Sequence, residues 1–263
     1  MTRPAGFPAM RPEPRLLAFG LTIALLGIAV AESVIMIRGI SAVGELGIDF
    51  MAYRHMGERW LATGQFYWPE QLTGALYPNI IGRTVLYPPS TLLFFVPLSI
   101  LPLPVAAAIW WTGPIAIGAT LIRRFQPHYI VWPVLAFVIA WPRTLGAFMF
   151  GNTDLWIASA VAAGLLWSWP AVFVTLKPTV LPLALIGIRR RSWWIAAACL
   201  SLASLVFLPL WPEYVPVLRN VTAVTPFYST NLVFILAPLV AWSARWKDVP
   251  HQTPQAVPTE VAA

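Results

Sequence analysis

Cysteine and histidine are scarce in this chain, which has one of the first and three of the second among 263 residues. A single cysteine, Cys199, cannot form an internal disulfide, and no Cys/His spacing suits a metal ion. The glycines form neither a Walker loop nor a Rossmann fingerprint, and the chain has no internal repeat. The sequence therefore predicts no metal site and no cofactor.

Charge is scarce as well, because only 10% of the residues are Asp, Glu, Lys or Arg, whereas 59% are hydrophobic and the mean hydropathy is +0.72. One soluble core cannot bury so much apolar surface, so we expect an integral membrane protein. The net charge of +7 could indicate a nucleic-acid partner. The arginines, however, occur singly or in short clusters beside apolar runs, so membrane topology explains them better and no nucleic acid is expected.

The apolar runs predict an all-α, polytopic membrane protein with about eight crossings, since runs of this length form helices and not barrel strands. The predicted segments are 16–37, 90–103, 104–122, 129–142, 151–169, 170–188, 193–211 and 229–243. The first resembles a signal peptide, but it lacks a clear small-residue cleavage site and is interpreted as a retained helix. Prolines crowd the later segments and predict broken or re-entrant helices.

Basic residues orient these crossings. Eight crossings place four basic clusters in the cytoplasm, and only Arg123 and Arg124 disagree. The four clusters are the N-terminal arginines, Arg143, Arg189-Arg190-Arg191, and Arg245 with Lys247. A single crossing over 90–122 would place Arg123 and Arg124 inside, but it would put the arginine triplet outside. The predicted parts are a cytoplasmic tail 1–15, a membrane domain 16–247 with an extracytoplasmic loop 39–89, and a disordered tail 248–263.

The stretch 45–91 is the longest without a membrane-length apolar run, and it holds four of the ten acidic residues. A helix over 48–62 would place Asp49, Tyr53, Gly57 and Trp60 on one face, with Gly64 as a natural stop. Tyr87-Pro88-Pro89 predicts extended backbone before the next apolar segment, because a proline disfavours the helical conformation of the residue before it.

Asp49 is the first candidate for chemistry because it lies between Ile48 and Phe50 beside the membrane surface. Desolvation there would raise the basicity of its carboxylate, as a general base requires. Helix capping is the alternative role. Lys177 lies about eight residues into a predicted crossing, where its charge costs a few kcal/mol. We expect it to face a cavity, an anion or a carboxylate, unless it snorkels to an interface.

Two further groups have ordinary structural roles as alternatives. Asn152 and Asp154 open an apolar segment, where helix capping is equally compatible with the sequence. Arg54 and Glu58 are four residues apart, which favours a helix ion pair.

Four stretches in this order resemble glycosyltransferase family 87, the polyprenyl-phosphate-mannose-dependent mannosyltransferases, which are also described as a domain of unknown function. They are IDFMAYRHMGERWLATGQFYW, LYPPSTLLFFVPLSILPLP followed by a Trp-rich helix, Gly151-Asn152 where the family often has Gly-Gln, and LKPTVLPLALIGIRRRSWW. Together they span about 39–195. The chain is much shorter than the usual member of this family.

The resemblance implies a C-type glycosyltransferase fold, an acidic residue in the first extracytoplasmic loop, and a polyprenyl-phosphate sugar donor. Asp49 matches that acidic position and is the predicted catalytic base, and Lys177-Pro178 matches the family's Lys-Pro. The predicted substrate-binding residues are Lys177, Tyr53, Arg54, Arg59, Arg83, Tyr87 and Asn152.

The expected activity is inverting transfer of a hexose, with mannose as the family's sugar, to a lipid or polysaccharide acceptor. The site would face the extracytoplasmic side of the cell membrane, and membrane lipids would be the other partners. The alternative is a non-catalytic membrane subunit or a lipid-linked-sugar transporter derived from the same fold.

Overall fold

The computed structural model of the chain describes residues 13–42, 44–74, 85–222 and 232–245. All the regular structure in these ranges is helical. The α-helices are α1 Glu13–Ala42, α2 Ile48–Thr63, α3 Pro69–Thr73, α4 Leu92–Ile100, α5 Leu103–Phe125, α6 Trp132–Ala140, α7 Pro142–Phe150, α8 Asp154–Trp167, α9 Arg191–Ser204, α10 Trp211–Thr222 and α11 Leu232–Ser243. The 3₁₀ segments are Pro89–Thr91, Tyr129–Val131, Trp169–Leu176, Pro178–Leu185 and Leu205–Leu210.

Three helical stretches of the described chain are long and apolar enough to cross a membrane. They are Pro14–Ala42, Leu103–Phe125 and Arg191–Asn220. A fourth crossing results if Tyr129–Ala140 and Pro142–Phe150, which meet at 57°, form one bent span. The protein is therefore an all-α membrane protein, as predicted. The count of eight crossings is not supported, since the other apolar helices of the described chain are shorter, at 10–17 residues. Predicted segment 170–188 in particular does not cross, because Gly187 and Ser168 at its two ends lie together.

Helix α1 is the longest element and extends the predicted segment 16–37 at both ends. It has 30 residues, which corresponds to about 45 Å. It packs on α6 and α7, yet only 6% of its apolar window is buried. Most of its surface is therefore left for lipid.

Helix α2 has the predicted position and the predicted stop. It begins after Gly47, which has a φ of 71°, and ends at Gly64, whose N–H donates to the carbonyl oxygen of Trp60 at 2.8 Å. The predicted face is directed inward, because Tyr53 and Gly57 are buried against α4. At Gly57 a Cβ would lie only 2.6 Å from the carbonyl oxygen of Phe95, so the two backbones approach more closely than any side chain allows.

The main hydrophobic core lies between α2, α4 and α5. Its central rings are Phe50, Tyr53, Phe95 and Trp110, all of them buried. Tyr53 stacks on Phe95 with ring centroids 4.9 Å apart, and Phe50 contacts Trp110 at 5.7 Å. Aromatic contacts of this kind fix ring orientation as well as burying area. The inward face of α2 is therefore held against a rigid wall.

Two proline effects distinguish the structure from the predicted segments. The predicted crossing 170–188 consists of two 3₁₀ segments that meet at Lys177, which has a φ of −123° and a ψ of 89°. Pro178 causes this break because it disfavours a helical conformation in the residue before it. Pro142, interpreted above as the end of a segment, instead begins α7, since proline is well suited to the first position of a helix.

Candidate functional site

Two tryptophans of α5 fix the turn that joins α7 to α8. The indole N–H of Trp110 donates to the carbonyl oxygen of Gly151, and that of Trp111 donates to the carbonyl oxygen of Phe148, both at 2.7 Å. Gly151 has a φ of 72°, and a Cβ there would lie 2.8 Å from Phe50 and Trp111. Only glycine fits this position. The residue that follows therefore projects from a fixed point.

That residue is Asn152, whose side-chain amide joins a carboxylate to an ammonium group. Its Nδ2 donates to Oδ2 of Asp49 at 2.7 Å. Its Oδ1 accepts from the backbone N–H of Asp154 at 3.1 Å and from Nζ of Lys177 at 3.4 Å. An amide donates through nitrogen and accepts through oxygen, so these partners define its orientation. Asn152 thus links Asp49 to Lys177.

Asp49 lies in the first turn of α2, and that turn is tied to the end of α7. The N–H of Gly47, the residue that precedes α2, donates to the carbonyl oxygen of Met149 at 2.9 Å. Asp49 makes no capping hydrogen bond to α2, so the capping alternative does not describe its role. Within the described ranges only its Oδ2 has a hydrogen-bond partner, and its Oδ1 is not a buried orphan. Oδ1 is thus the oxygen of Asp49 that has no hydrogen bond to the described part of the chain.

The surroundings of Asp49 favour a basic carboxylate. Burial raises the pKa of Asp49 and is the largest influence on it. The hydrogen bond from Asn152 and the charge of Lys177 act in the opposite direction, whereas the charge of Asp154 adds to the rise. A carboxylate with a raised pKa holds a proton more strongly, which is what general-base catalysis near neutral pH requires.

Lys177 forms an ion pair with Asp154, the first residue of α8. The Asp154 side chain is fully buried, and that of Lys177 is 13% exposed. The sequence predicts that Lys177 faces a cavity, an anion or a carboxylate, and Asp154 provides the carboxylate. A side chain that is only 13% exposed does not fit the alternative, in which Lys177 snorkels to an interface. Removing either partner would leave an uncompensated buried charge, so each residue depends on the other.

A second chain of hydrogen bonds reaches the same turn from the other side. The hydroxyl groups of Tyr53 and Tyr87 are 2.9 Å apart, and that of Tyr87 is 2.9 Å from Oγ1 of Thr153. Burial raises the pKa of both tyrosines, so their hydroxyls stay protonated. This network connects α2 and the segment before α4 to the turn that carries Asn152.

The predicted arginines are not part of this arrangement. Nη1 of Arg54 donates to the carbonyl oxygens of Leu98 and Leu101, at 3.2 and 2.8 Å, and its Nε pairs with Glu58 at 3.0 Å. The alternative of a helix ion pair is therefore confirmed, and the same guanidinium also binds the end of α4. These bonds occupy Arg54 in holding α2 to α4.

Arg59 is also held locally, one turn further along α2. Its Nη2 donates to Oε1 of Gln65 at 2.8 Å, and its guanidinium carbon lies 3.7 Å from the ring centroid of Trp68. The structure brings together Asp49, Tyr53, Tyr87, Asn152 and Lys177, but it does not bring Arg54 or Arg59 to them. Arg83 lies outside the described residues.

Thr153 and the pairing partner of Lys177 were missed by sequence reasoning. Helix capping alone explains an aspartate at the position of Asp154, so the local sequence does not indicate its contact with Lys177, 23 positions later. The available signal was the free-energy cost of placing the charge of Lys177 in an apolar segment, because such a lysine requires a counter-charge. Asp154 is the acidic residue that opens the adjacent apolar segment.

No group of three His, Cys, Asp or Glu side chains among the described residues is placed to hold a metal ion. The candidate site is a hydrogen-bonded cluster of charged and polar side chains built from Asp49, Asn152, Lys177 and Asp154. No protein-family model matches this chain, and searches of curated proteins and of solved structures gave no match.

Proposed function

We propose that the protein is a membrane glycosyltransferase. It transfers a hexose, mannose by the resemblance to family 87, from a polyprenyl-phosphate donor to a lipid or polysaccharide acceptor outside the cytoplasm. The observation that carries the proposal is the placement of Asp49, whose Oδ2 is held by Asn152 and whose Oδ1 has no partner in the described chain. A carboxylate fixed through one oxygen can receive a proton through the other.

The proposed reaction is a single displacement. The acceptor hydroxyl oxygen attacks the anomeric carbon of the donor, and its proton passes to Oδ1 of Asp49. The bond between the anomeric carbon and the phosphate oxygen breaks, and the electron pair leaves with the phosphate. A polyprenyl phosphate is a good leaving group, so the step requires a base and a cation but no strong general acid. A β-linked donor sugar would give an α-linked product.

Lys177 is the proposed ligand of the departing phosphate. An ammonium group has three N–H donors. Asp154 and Asn152 accept from Lys177, and the described chain offers no third acceptor. The remaining N–H is therefore available to an anionic oxygen. Arg83 stays a predicted helper, whereas Tyr53 and Tyr87 support the turn through their hydroxyl network.

The proposed topology has cytoplasmic termini, an extracytoplasmic loop 39–89 and an even number of crossings that is below eight. Segment 170–188 is not one of them, because Ser168 and Gly187 at its two ends lie together and the segment returns to the side from which it enters. The basic clusters at the two termini support this topology, because only an even number of crossings places both inside. Reporter fusions at Gly74, Arg191 and Ala263 test this arrangement. A periplasm-dependent reporter that is active at Arg191 would overturn it.

The function is tested with purified protein, radiolabelled polyprenyl-phosphate-mannose and a membrane lipid extract, by looking for a new labelled product. Asp49→Asn keeps the shape of the side chain but removes its basicity, so turnover should fall by about 10²- to 10⁴-fold. The matched control is Glu58→Gln on the same helix, where Glu58 contacts Arg54 and His55 at the surface and not the site around Asp49. Equal turnover in wild type and Asp49→Asn would refute the assigned base.

A non-catalytic subunit of the same fold is the second candidate. One observation favours it, because the charge of Lys177 is already balanced by a buried carboxylate and needs no substrate. In that case the labelled donor would bind without turnover, or would not bind. The same assay, run with a donor-binding measurement, separates the two candidates.

A further inference from the structure

A cavity lies at the end of α8 opposite to Asp154. Its volume is about 720 Å³, which is within the range of about 300–1,000 Å³ typical of small-molecule sites. Residues 164–168 at the end of α8 form one wall, and residues 185–190 with Ser192 form another. Trp242 of α11 also lines it. The cavity therefore lies where three elements meet, away from the site around Asp49.

The walls of this cavity are held by specific contacts. Gly187 has a φ of 80°, and a Cβ there would lie 2.4 Å from Cβ of Ser168. The indole N–H of Trp193 donates to the carbonyl oxygen of Ala184 at 2.7 Å, which ties α9 to the preceding 3₁₀ segment. The cavity is consequently part of the fold and not a gap between loose segments.

Positive charge lines the cavity without a balancing acid. Arg189 and Arg190 are both exposed and both line it. Neither guanidinium group makes a hydrogen bond or an ion pair with any residue in the described ranges, and no Asp or Glu is among the described lining residues. Two adjacent guanidinium groups with unused N–H donors match the oxygens of a phosphate group.

Exposed apolar side chains lie beside these arginines. Trp167 is 47% exposed and Leu185 is 54% exposed, and both line the same cavity. A soluble anion would satisfy the arginines but leave these two side chains uncovered. An amphiphile with an anionic head and an acyl chain would cover both, and basic pockets between membrane helices bind lipid head groups of this kind.

We propose that this cavity binds an anionic diacyl phospholipid, with the phosphate between Arg189 and Arg190 and an acyl chain along Trp167 and Leu185. In the proposed topology this lipid comes from the cytoplasmic leaflet. The inference goes beyond glycosyl transfer and does not depend on it. A bound lipid would stabilise the folded protein, since it binds a site made by folding.

The test uses the purified full-length protein in a neutral detergent. Phosphatidylglycerol or phosphatidylcholine with identical acyl chains is titrated, and both the thermal unfolding temperature and lipid binding by native mass spectrometry are measured. Phosphatidylglycerol should raise the unfolding temperature and remain bound, whereas phosphatidylcholine should do neither. Arg189→Gln with Arg190→Gln should weaken phosphatidylglycerol binding by about tenfold or more.

The matched control removes another exposed arginine pair. Arg123→Gln with Arg124→Gln deletes the same charge at the end of α5 from a pair that does not line the cavity, and should bind phosphatidylglycerol as wild type does. Equal weakening in both double variants would assign the effect to general surface charge and overturn the proposal. An equal response to phosphatidylcholine, or to glycerol phosphate in place of the lipid, would also overturn it. If the Arg189/Arg190 variant fails to fold, the two single variants replace it with the same readout.

Discussion

The two ends of α8 hold positive charge in opposite ways. At one end, the fully buried Asp154, which is the first residue of α8, is paired with Lys177. At the other end, 14 residues and about 21 Å away, Arg189 and Arg190 are exposed and have no partner in the described chain. All three cations belong to the stretch 177–190, whose Val180 and Ala184 pack with Ile157 and Val161 of α8.

Burial explains this difference. A charge withdrawn from water must be balanced within the protein, because desolvation costs several kcal/mol. A charge at the surface is hydrated and needs no partner until a ligand arrives. The buried end of α8 should therefore govern stability and the chemistry of the site, whereas the open end should govern only what binds there.

The largest effect is expected from Asp154→Asn. This change leaves the Lys177 charge buried without its partner, so the free energy of unfolding should fall by about 3–5 kcal/mol. Chemical unfolding in detergent, followed by tryptophan fluorescence, measures it. The control is Lys177→Met with Asp154→Leu, which replaces both charges by apolar groups and should recover most of the stability. If Asp154→Asn were as stable as wild type, the two ends of α8 would not differ in their contribution to stability.

The same double variant separates stability from donor binding. Because Lys177→Met with Asp154→Leu keeps the fold but removes the ammonium group, donor affinity should fall by about 10- to 100-fold, as expected for a lost hydrogen bond to a charged group. Binding of labelled polyprenyl-phosphate-mannose measures this. Unchanged donor affinity would mean that the Lys177–Asp154 pair has only a structural role.

Tyr87→Phe should have a smaller effect on stability. The change leaves the hydroxyl groups of Tyr53 and Thr153 without the partner that joins them, which should cost about 1–3 kcal/mol of unfolding free energy. Tyr129→Phe is the matched control, because the Tyr129 hydroxyl makes no hydrogen bond within the described residues. Equal stability of the two variants would mean that this network contributes little.

Asn152→Ala should shift the pH dependence of the reaction. Burial raises the pKa of Asp49, and the hydrogen bond from Asn152 partly offsets that rise. Removing the bond should raise the pKa further. Because a general base works deprotonated, activity is lost as pH falls through this pKa, and the acidic limb of kcat/KM should move to higher pH. Arg54→Gln, on the same helix but without contact to Asp49, should leave the limb in place, and a downward shift in Asn152→Ala would contradict the assignment.

The smallest effect is expected at the open end of α8. Without added lipid, Arg189→Gln with Arg190→Gln should change the free energy of unfolding by no more than about 0.5 kcal/mol, as is usual for surface substitutions. The same unfolding measurement in lipid-free detergent checks it. A loss of several kcal/mol would mean that these arginines stabilise the fold directly, and the comparison between the two ends would fail.

Local sequence signals predicted the part of the site that depends on backbone conformation. The helix beginning at Ile48, its end at Gly64 and the break caused by Pro178 all follow from rules that act over a few residues. The extended backbone before α4 is of the same kind, since Pro88 has a ψ of 155°. Such features need no knowledge of tertiary structure.

Partners distant in sequence could not be predicted in the same way. Asn152 and Asp49 are 103 positions apart, and nothing local in either segment indicates their hydrogen bond. The arginines illustrate the opposite error. Arg54 was a plausible phosphate ligand by position alone, but the free carbonyl oxygens at the end of α4 satisfy its donors. Only the packing of α2 on α4 determines that outcome.

The length of α1 has a consequence for the height of the candidate site. A helix of about 45 Å exceeds the roughly 30 Å of a bilayer's hydrocarbon core by about 15 Å, so α1 must tilt or protrude. Gly44 comes two positions after the last residue of α1, and Asp49 comes two residues after Gly47. The tilt of α1 thus sets the depth of Asp49 relative to the lipid phosphates. Membrane thickness would therefore be a variable of the proposed reaction, because a thicker bilayer draws α1 upright and a thinner one allows it to tilt.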